Sequence, residues 1–373
     1  MLLSIVIFIF ILGFLIFIHE FGHFIIAKKS GVKVEEFGFG FPPRVWGKQK
    51  GETIYSINAI PLGGFVKLYG EDEKPQHLED PRSFASKSSF AKTLILSAGV
   101  VMNLLLAVAI FYFLVGFSGF QSQCPLIYDY HFPFGEQQNF ISILAIAKDS
   151  PAEKVGLQSK DIIIEGNGIE FKNSKQLIKF INENKGKEII LKIKNSIGGE
   201  AKDIEVIPRV NPPENEGSLG IALGDIAEIQ YSTGLEKTLV GFLHSFNFAH
   251  YSLVGLGHLI KVSFQEQTVE PLAGAVVGPF GILAITKLTI KAGFIAILEL
   301  IALISLALAI VNILPFPALD GGRLVFVGFE FFTKKRVPLK VERNINLIGF
   351  ILLILLLMLV SYKDILQFKD ILF

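Results

Sequence analysis

Four stretches of this chain carry no charged side chain over nearly the length a helix needs to cross a bilayer. They are Met1 to Ile18, Thr93 to Phe117, Leu300 to Leu319 and Ile345 to Tyr362. About 20 apolar residues span the hydrocarbon core as a helix, so the pattern predicts about four transmembrane helices. The apolar content, 51%, sits in these blocks, whereas roughly Asp149 to Glu236 is polar and has the composition of a globular domain. The first block does not read as a cleaved leader: no basic segment precedes it and no small-residue cleavage site follows.

A first helix runs from Leu2 to Ala27 and ends on Lys28, Lys29, Ser30 and Gly31, a basic and glycine-marked terminus. Candidate strands follow at Val34 to Phe39, Thr53 to Ala59 and Phe65 to Tyr69, punctuated by Pro42-Pro43 and Pro61-Leu62-Gly63-Gly64. Glu71 to Lys92 is a charged connector. From about Phe140 a small α+β domain begins, with strands near 141–147, 162–165, 188–193 and 203–208, a short helix at Ser150 to Leu157 and another at Ser174 to Asn184, then a turn at Asn211 to Gly217. Leu235 to Val262 is apolar but interrupted by His244, Asn247, His250 and His258, which favours a helix in the membrane interface over a spanning one. The units expected are 1–118, 140–225, 235–292 and 293–373.

Lys28, Lys29, Lys33, Arg44, Lys48 and Lys50 follow the first helix, and Arg323, Lys334, Lys335, Arg336, Lys340 and Arg343 separate the third from the fourth. Basic loops stay in the cytoplasm. The α+β domain is then expected outside. A net charge of +1 gives no electrostatic support to a nucleic-acid partner, and the single Cys124 excludes an internal disulfide or a cysteine-based metal site.

The chemistry centres on His19-Glu20-Phe21-Gly22-His23. On a helix, positions i and i+4 share a face, so two imidazoles can hold one Zn²⁺ with Glu20 beside it as general base. Three ionisable groups in an apolar helix are costly unless used. His19 lies about 26 Å along the helix from Leu2, which puts the site near the basic end of the helix. A catalytic zinc needs a third protein ligand and an open position. Asn312-Ile313-Leu314-Pro315-Phe316-Pro317-Ala318-Leu319-Asp320-Gly321-Gly322 can supply it: the prolines break the third helix, and the glycines let Asp320 approach closely.

At these residues the chain resembles the site-2 protease family, and within it the bacterial branch of the regulator of sigma-E protease. The stretch Ile60 to Glu71 resembles that branch's membrane-associated β-hairpin segment. Ser150-Pro151-Ala152 to Gly156-Leu157 with Asp161-Ile162-Ile163 resembles its PDZ domain, and Gly278-Pro279-Phe280-Gly281-Ile282 a further branch motif. Two departures stand out: Val100 where the branch often has proline, and one PDZ domain where some members have two. The resemblance implies a polytopic α-helical membrane protein with a membrane-associated β-hairpin and one inserted extracytoplasmic PDZ-like domain, in a bacterial cell (inner) membrane. It implies an intramembrane zinc metalloprotease with His19, His23 and Asp320 on Zn²⁺ and Glu20 as base. Its substrate would be a transmembrane protein in the bilayer, such as an anti-sigma factor or a signal-peptide remnant.

The resemblance also implies that Asn312 binds the substrate backbone or the developing oxyanion; capping of the broken helix is its competing role. Ser56 to Leu68, with Ile57, Asn58 and Gly64, is expected to offer an unpaired strand edge to an unwound substrate. Asn103 reads as a packing polar residue, with a substrate contact as its alternative. Leu219-Gly220-Ile221 reads either as a loop that captures a peptide C-terminus or as an ordinary strand and turn. Gly38-Phe39-Gly40 lacks the context of a phosphate loop, and His244, His250 and His258 do not share a helical face. The alternative function is a catalytically inactive PDZ-bearing membrane scaffold, which predicts erosion of the His19, Glu20, His23 and Asp320 set. A metal or proton transporter would need polar residues through the outer half of the bilayer, where helices one and three have almost none.

Overall fold

Backbone polar groups inside a bilayer must be satisfied within the segment itself, which favours helices wherever the chain is long and apolar. In a computed structural model, which describes residues 2–71, 79–195, 199–214 and 216–372 (the side chains of Leu62 and Leu339 excepted), four helices meet that requirement. They are α1 (Leu2–Lys29), α2 (Ser89–Phe117), α8 (Phe294–Ile313) and α10 (Leu339–Gln367). The chain separates into two compact units, Met1–Leu114 with His244–Phe373, and Val115–Leu243. The charged connector and the 211–217 turn fall partly on residues 72–78 and 215, outside the described residues.

In the first unit, α1 is followed by β1 (Val34–Lys50) and β2 (Thr53–Leu68). Each is folded back on itself. Glu36 to Phe39 pairs with Ile54 to Ile57 on one side and with Gly64 to Lys67 on the other, and Arg44 to Lys50 pairs with Thr53 to Asn58. Four segments therefore lie side by side. Residues 34–39 and 53–58 are interior, and 44–50 and 64–68 have strand partners on one side only among the described residues. The sheet docks on α1 through aromatic rings. Phe17, Phe21 and Phe24 of α1 meet Phe37, Phe39 and Tyr55, with centroid separations of 4.9 Å for Phe24–Phe37 and 5.6 Å for Phe17–Phe37.

The remaining helices of this unit are the larger part of α5 (Gly234–Glu266), α6 (Glu270–Ala275), α7 (Pro279–Ala292), α8, α9 (Asp320–Thr333), α10 and α11 (Lys369–Leu372). The segment expected as one interfacial stretch, 235–292, is thus three helices. The third membrane helix closes at Ile313, and the chain re-enters a helix at Asp320. Sequence reasoning gave α9 no place, because its Gly321-Gly322 opening and mixed polarity lack a clean helical period. The sharp end of α8 is held from α10: Asn346 Oδ1 accepts from Ala318 N at 3.3 Å, and an added Cβ on Gly349 would stand 2.3 Å from Pro317 Cβ.

The second unit is an antiparallel sheet in the order β3 (Gln121–Leu126), β9 (Ile221–Gln230), β4 (Glu136–Ile146), β5 (Ile162–Gly166), β7 (Ile189–Lys194), β8 (Ala201–Val206), with β6 (Ile169–Glu170) paired to β5. Two helices, α3 (Pro151–Lys154) and α4 (Ser174–Glu183), pack against it. Both begin on side-chain caps: Ser150 accepts from Glu153 N, and Asn173 from Gln176 N, as serine and asparagine do at such positions. Ile143, Leu177, Ile189, Leu191 and Ile193 are fully buried in its core. This is the PDZ-like domain, wider than 140–225, because β3 and the start of β4 come before Phe140 and β9 runs on to Gln230. At its far end Thr233 and Glu236 cap each other at the start of α5, a capping box. The Thr233 and Ser232 donors hold the Glu236 carboxyl below its ordinary range.

Candidate metal centre

A helix advances about 100° per residue, so α1 presents different residues on different sides. Phe17, Phe21 and Phe24 face the sheet, His19 and His23 face away from it, and Glu20 falls between. His19 Nε2 and His23 Nε2 are 3.2 Å apart. Asp320 Oδ2, at the first residue of α9, lies 3.0 Å from His19 Nε2 and 3.4 Å from His23 Nε2. Among the described residues, this is the group of three His, Cys, Asp or Glu side chains whose ligand atoms converge, all within 4.8 Å of one another.

The donor set fits zinc. Donors at about 2.0–2.1 Å in a tetrahedron stand about 3.3 Å from one another, and the observed spacings are 3.0, 3.2 and 3.4 Å. Two imidazoles and one carboxylate leave the fourth position open, as catalytic rather than structural zinc requires. Space is left for the rings by Gly99 of α2: an added Cβ there would lie 2.4 Å from His23 Nε2 and 2.7 Å from His19 Nε2. Gly22 serves the same approach from the other side, since its Cβ would meet Ala98 O at 2.4 Å. Gly321 and Gly322 let α9 start against the α8 exit, where added Cβ atoms would meet Leu314 O at 2.2 Å and Phe316 O at 2.3 Å.

Both imidazoles are aimed by α2. His23 Nδ1 donates to Ile95 O at 2.7 Å. His19 Nδ1 lies 3.3 Å from Asn103 Nδ2. Asn103 is fully buried, and its Oδ1 has no hydrogen-bond partner among the described residues. A half-turn of the amide exchanges the two atoms and gives Oδ1 the Nδ1 proton that His19 carries when Nε2 faces a metal. Ser305 Oγ of α8 donates to Asn103 O at 2.8 Å and fixes that turn of α2. The packing role expected of Asn103 is therefore only part of its role. The sequence signal that could have marked it is its spacing, four residues after Gly99, which puts both on the α2 face turned to the histidines.

The other expected site residues divide. Gly64 begins the 64–68 edge, and its Cβ would lie 3.3 Å from Glu20 Cγ, so the edge starts beside Glu20. Ile57 and Asn58 are not at an edge. Ile57 pairs with Phe39 and with Trp46, and the Asn58 side chain donates to Gly40 O at 3.1 Å. The expectation of an edge across 56–58 is corrected: the sheet folds back at Ile60 to Gly63, and that fold turns the first part of β2 into an interior strand. Asn312 is half-buried in the last turn of α8 and bonds no described residue. Its competing role as a cap of that helix is not realised.

The model of peptidase family M50 matches residues 7–356. The chain belongs to peptidase family M50. A protein of Clostridium acetobutylicum, provisionally named a zinc metalloprotease, is 34% identical over 97% of both chains. Zinc metalloprotease RasP of Oceanobacillus iheyensis is 29% identical over 97% of this chain and 98% of its own length, and regulator of sigma-W protease RasP of Bacillus subtilis 26% over 97% and 98%. Among solved structures, the PDZ domain of an SdrC-like protein from Listeria monocytogenes is 25% identical, over 22% of this chain and 85% of that one, with a TM-score of 0.20. This M50 member is a membrane-embedded, zinc-dependent metalloprotease, and nothing found supports the inactive scaffold.

Proposed function

We propose that His19, His23 and Asp320 hold the zinc, that Glu20 is the general base, and that the bond cut lies in a transmembrane segment of another protein. The observation that carries this reading is the convergence of the three donor atoms within 4.8 Å across two elements 301 residues apart, with the two histidines on a helix of spanning length. When bound, zinc supplies Lewis acidity to an attacking water and to the scissile carbonyl. Glu20 takes the proton of that water and returns it to the departing amine. Asn312, with a free amide, donates to the substrate carbonyl. A substrate helix hides its carbonyls in internal bonds, so it unwinds. Its freed backbone pairs with Gly64 to Lys67, the edge beside Glu20.

The basic loops after α1 and between α8 and α10 support a cytoplasmic position for both, with the PDZ-like domain extracytoplasmic, α5 along the interface and the chain in the bacterial cell membrane. The domain then faces substrate ectodomains and screens them by size. A cavity lined by Ile178, Ile181, Asn182, Leu219, Ile221 and Leu223 supports capture of an apolar peptide C-terminus beside Leu219-Gly220-Ile221. The relative named as a regulator of sigma-W protease suggests membrane-bound regulators as one substrate class, alongside signal-peptide remnants. The test is a comparison of membrane fragments in cells that express wild-type protein or Glu20→Gln. Fragments truncated within a transmembrane segment are expected only with the wild type; identical fragment patterns in the two strains would exclude the proposed activity.

A further inference from the structure

Glu71 binds no metal, yet it touches both the strand edge and the helix that carries the third ligand. Beyond Leu68 the chain turns at Gly70, whose φ of 75° is costly for any residue with a Cβ. Glu71 N donates to Leu68 O at 3.3 Å, and Glu71 Oε2 accepts from Leu68 N at 3.4 Å. The other carboxylate oxygen, Oε1, accepts from Arg323 Nη1 at 2.6 Å. Arg323 is one turn after Asp320 on α9, on the same face of that helix. Its guanidinium also lies 5.6 Å from the Phe84 ring centroid, and Phe84 N donates to Tyr69 O at 2.8 Å. Arg323 thus grips the end of the edge twice. The pair is partly shielded, with side chains 26% and 30% exposed, so it is weakened by solvent less than a surface pair would be. At the other end of the same segment, Gly64 rests against Glu20.

We infer that the Glu71–Arg323 pair is a positioning pair: it sets the register between the substrate-pairing edge, Gly64 to Lys67, and the helix that presents Asp320. A substrate strand paired to that edge then brings one particular carbonyl to the metal and to Glu20. This rests on the reading of 64–67 as the substrate edge. A merely stabilising ion pair would leave turnover by the folded protein unchanged. A positioning pair changes turnover of an extended substrate and leaves the metal in place, because His19, His23 and Asp320 keep their own contacts.

The test uses the full-length, zinc-loaded protein and four variants: Glu71→Gln, Arg323→Gln, the double substitution of both, and Arg323→Lys. Three quantities are read: zinc per chain, kcat and KM on a transmembrane peptide, and inhibition by acetohydroxamate, a small metal ligand that makes no strand contact. Zinc should stay near one per chain, and acetohydroxamate inhibition should move less than about 3-fold, while kcat/KM falls about 10- to 100-fold, the scale of a small misplacement of substrate. The double variant should lose no more than either single, as coupled residues do, and Arg323→Lys should recover part of the loss. Unchanged kcat/KM in both single variants overturns the inference. So do losses that multiply in the double variant, and so does equal loss of acetohydroxamate binding, which would make the pair a support of the metal site alone. The strand-edge reading fails on a different measurement: normal cleavage by both Phe65→Pro and Val66→Pro.

Discussion

The histidines of this site are set by what stands behind them. His19 and His23 are legible in the sequence as an i, i+4 pair, and Asp320 as the acidic residue of a proline- and glycine-rich break. Their support was not legible, because a backbone carbonyl at Ile95 and a side chain at Asn103 carry no pattern until α2 is packed against α1. Outer contacts of this kind are typically worth about 10- to 100-fold in metal affinity. Asn103→Leu should therefore weaken zinc binding by about that factor, measured by competition with a chelator of known affinity. Affinity equal to wild type would show that His19 does not need Asn103. Gly99→Ala is the companion case. Its methyl would lie 2.4 Å from His23 Nε2, backed by helix backbone that cannot recede. We expect zinc content well below one per chain and loss of cleavage, and normal metal content would mean that α2 yields.

The element that departs most from expectation is the hairpin. Strand signals at 34–39, 53–59 and 65–69 are readable, but strand order is not: which segment becomes interior depends on where the chain folds back, and Ile60 to Gly63 and the Pro42-Pro43 turn make it happen twice. The edge expected across Ser56 to Leu68 therefore narrows to 64–67. Successive N–H groups along a strand point to opposite sides, so proline at Phe65 and proline at Val66 remove donors on different sides. One of the two should abolish most cleavage with zinc retained, and the other should disturb the sheet itself, as read by limited proteolysis. The α8 exit is the other such element. Gly349→Ala, on α10, would press a methyl 2.3 Å from Pro317 Cβ, and overpacking of this kind costs about 1–3 kcal/mol. A lower melting midpoint and reduced zinc occupancy are expected although Gly349 touches no ligand. An unchanged midpoint would mean that the Pro315 to Leu319 turn is not braced from α10.

At the scale of the molecule, the sequence was most informative where physics leaves least choice. Uncharged runs of spanning length become helices: α1 and α2 match the expected spans within four residues, whereas α8 (Phe294–Ile313) and α10 (Leu339–Gln367) each begin six residues before the uncharged runs at Leu300 and Ile345. The PDZ-like domain was recognised by its Ser150 to Leu157 turn and its Asp161-Ile162-Ile163 strand, but its limits were drawn too tightly. β3 contains Pro125 and, among the described residues, pairs only with β9, about a hundred residues later, so no local signal announces it. The proposed topology rests on the basic loops. A reporter fused at Asn184 should be active only if it works outside the cytoplasm; a cytoplasm-dependent reporter active there would invert the arrangement. Removal of the 140–208 segment should leave cleavage of a short transmembrane peptide intact and extend it to substrates with bulky ectodomains. Loss of zinc from a still-folded membrane unit would instead make the domain structural.

Metal binding and proton transfer fall to different residues in the proposed mechanism, and three purified variants test that separation together. Glu20→Gln keeps size and polarity but cannot accept a proton, so zinc should remain near one per chain while cleavage of a transmembrane peptide falls at least about 100-fold. His23→Ala and Asp320→Ala each remove a ligand and should lose zinc along with activity, and a chelator should silence the wild type until zinc is restored. Full zinc and full activity in Asp320→Ala, or substantial turnover in Glu20→Gln, would contradict it.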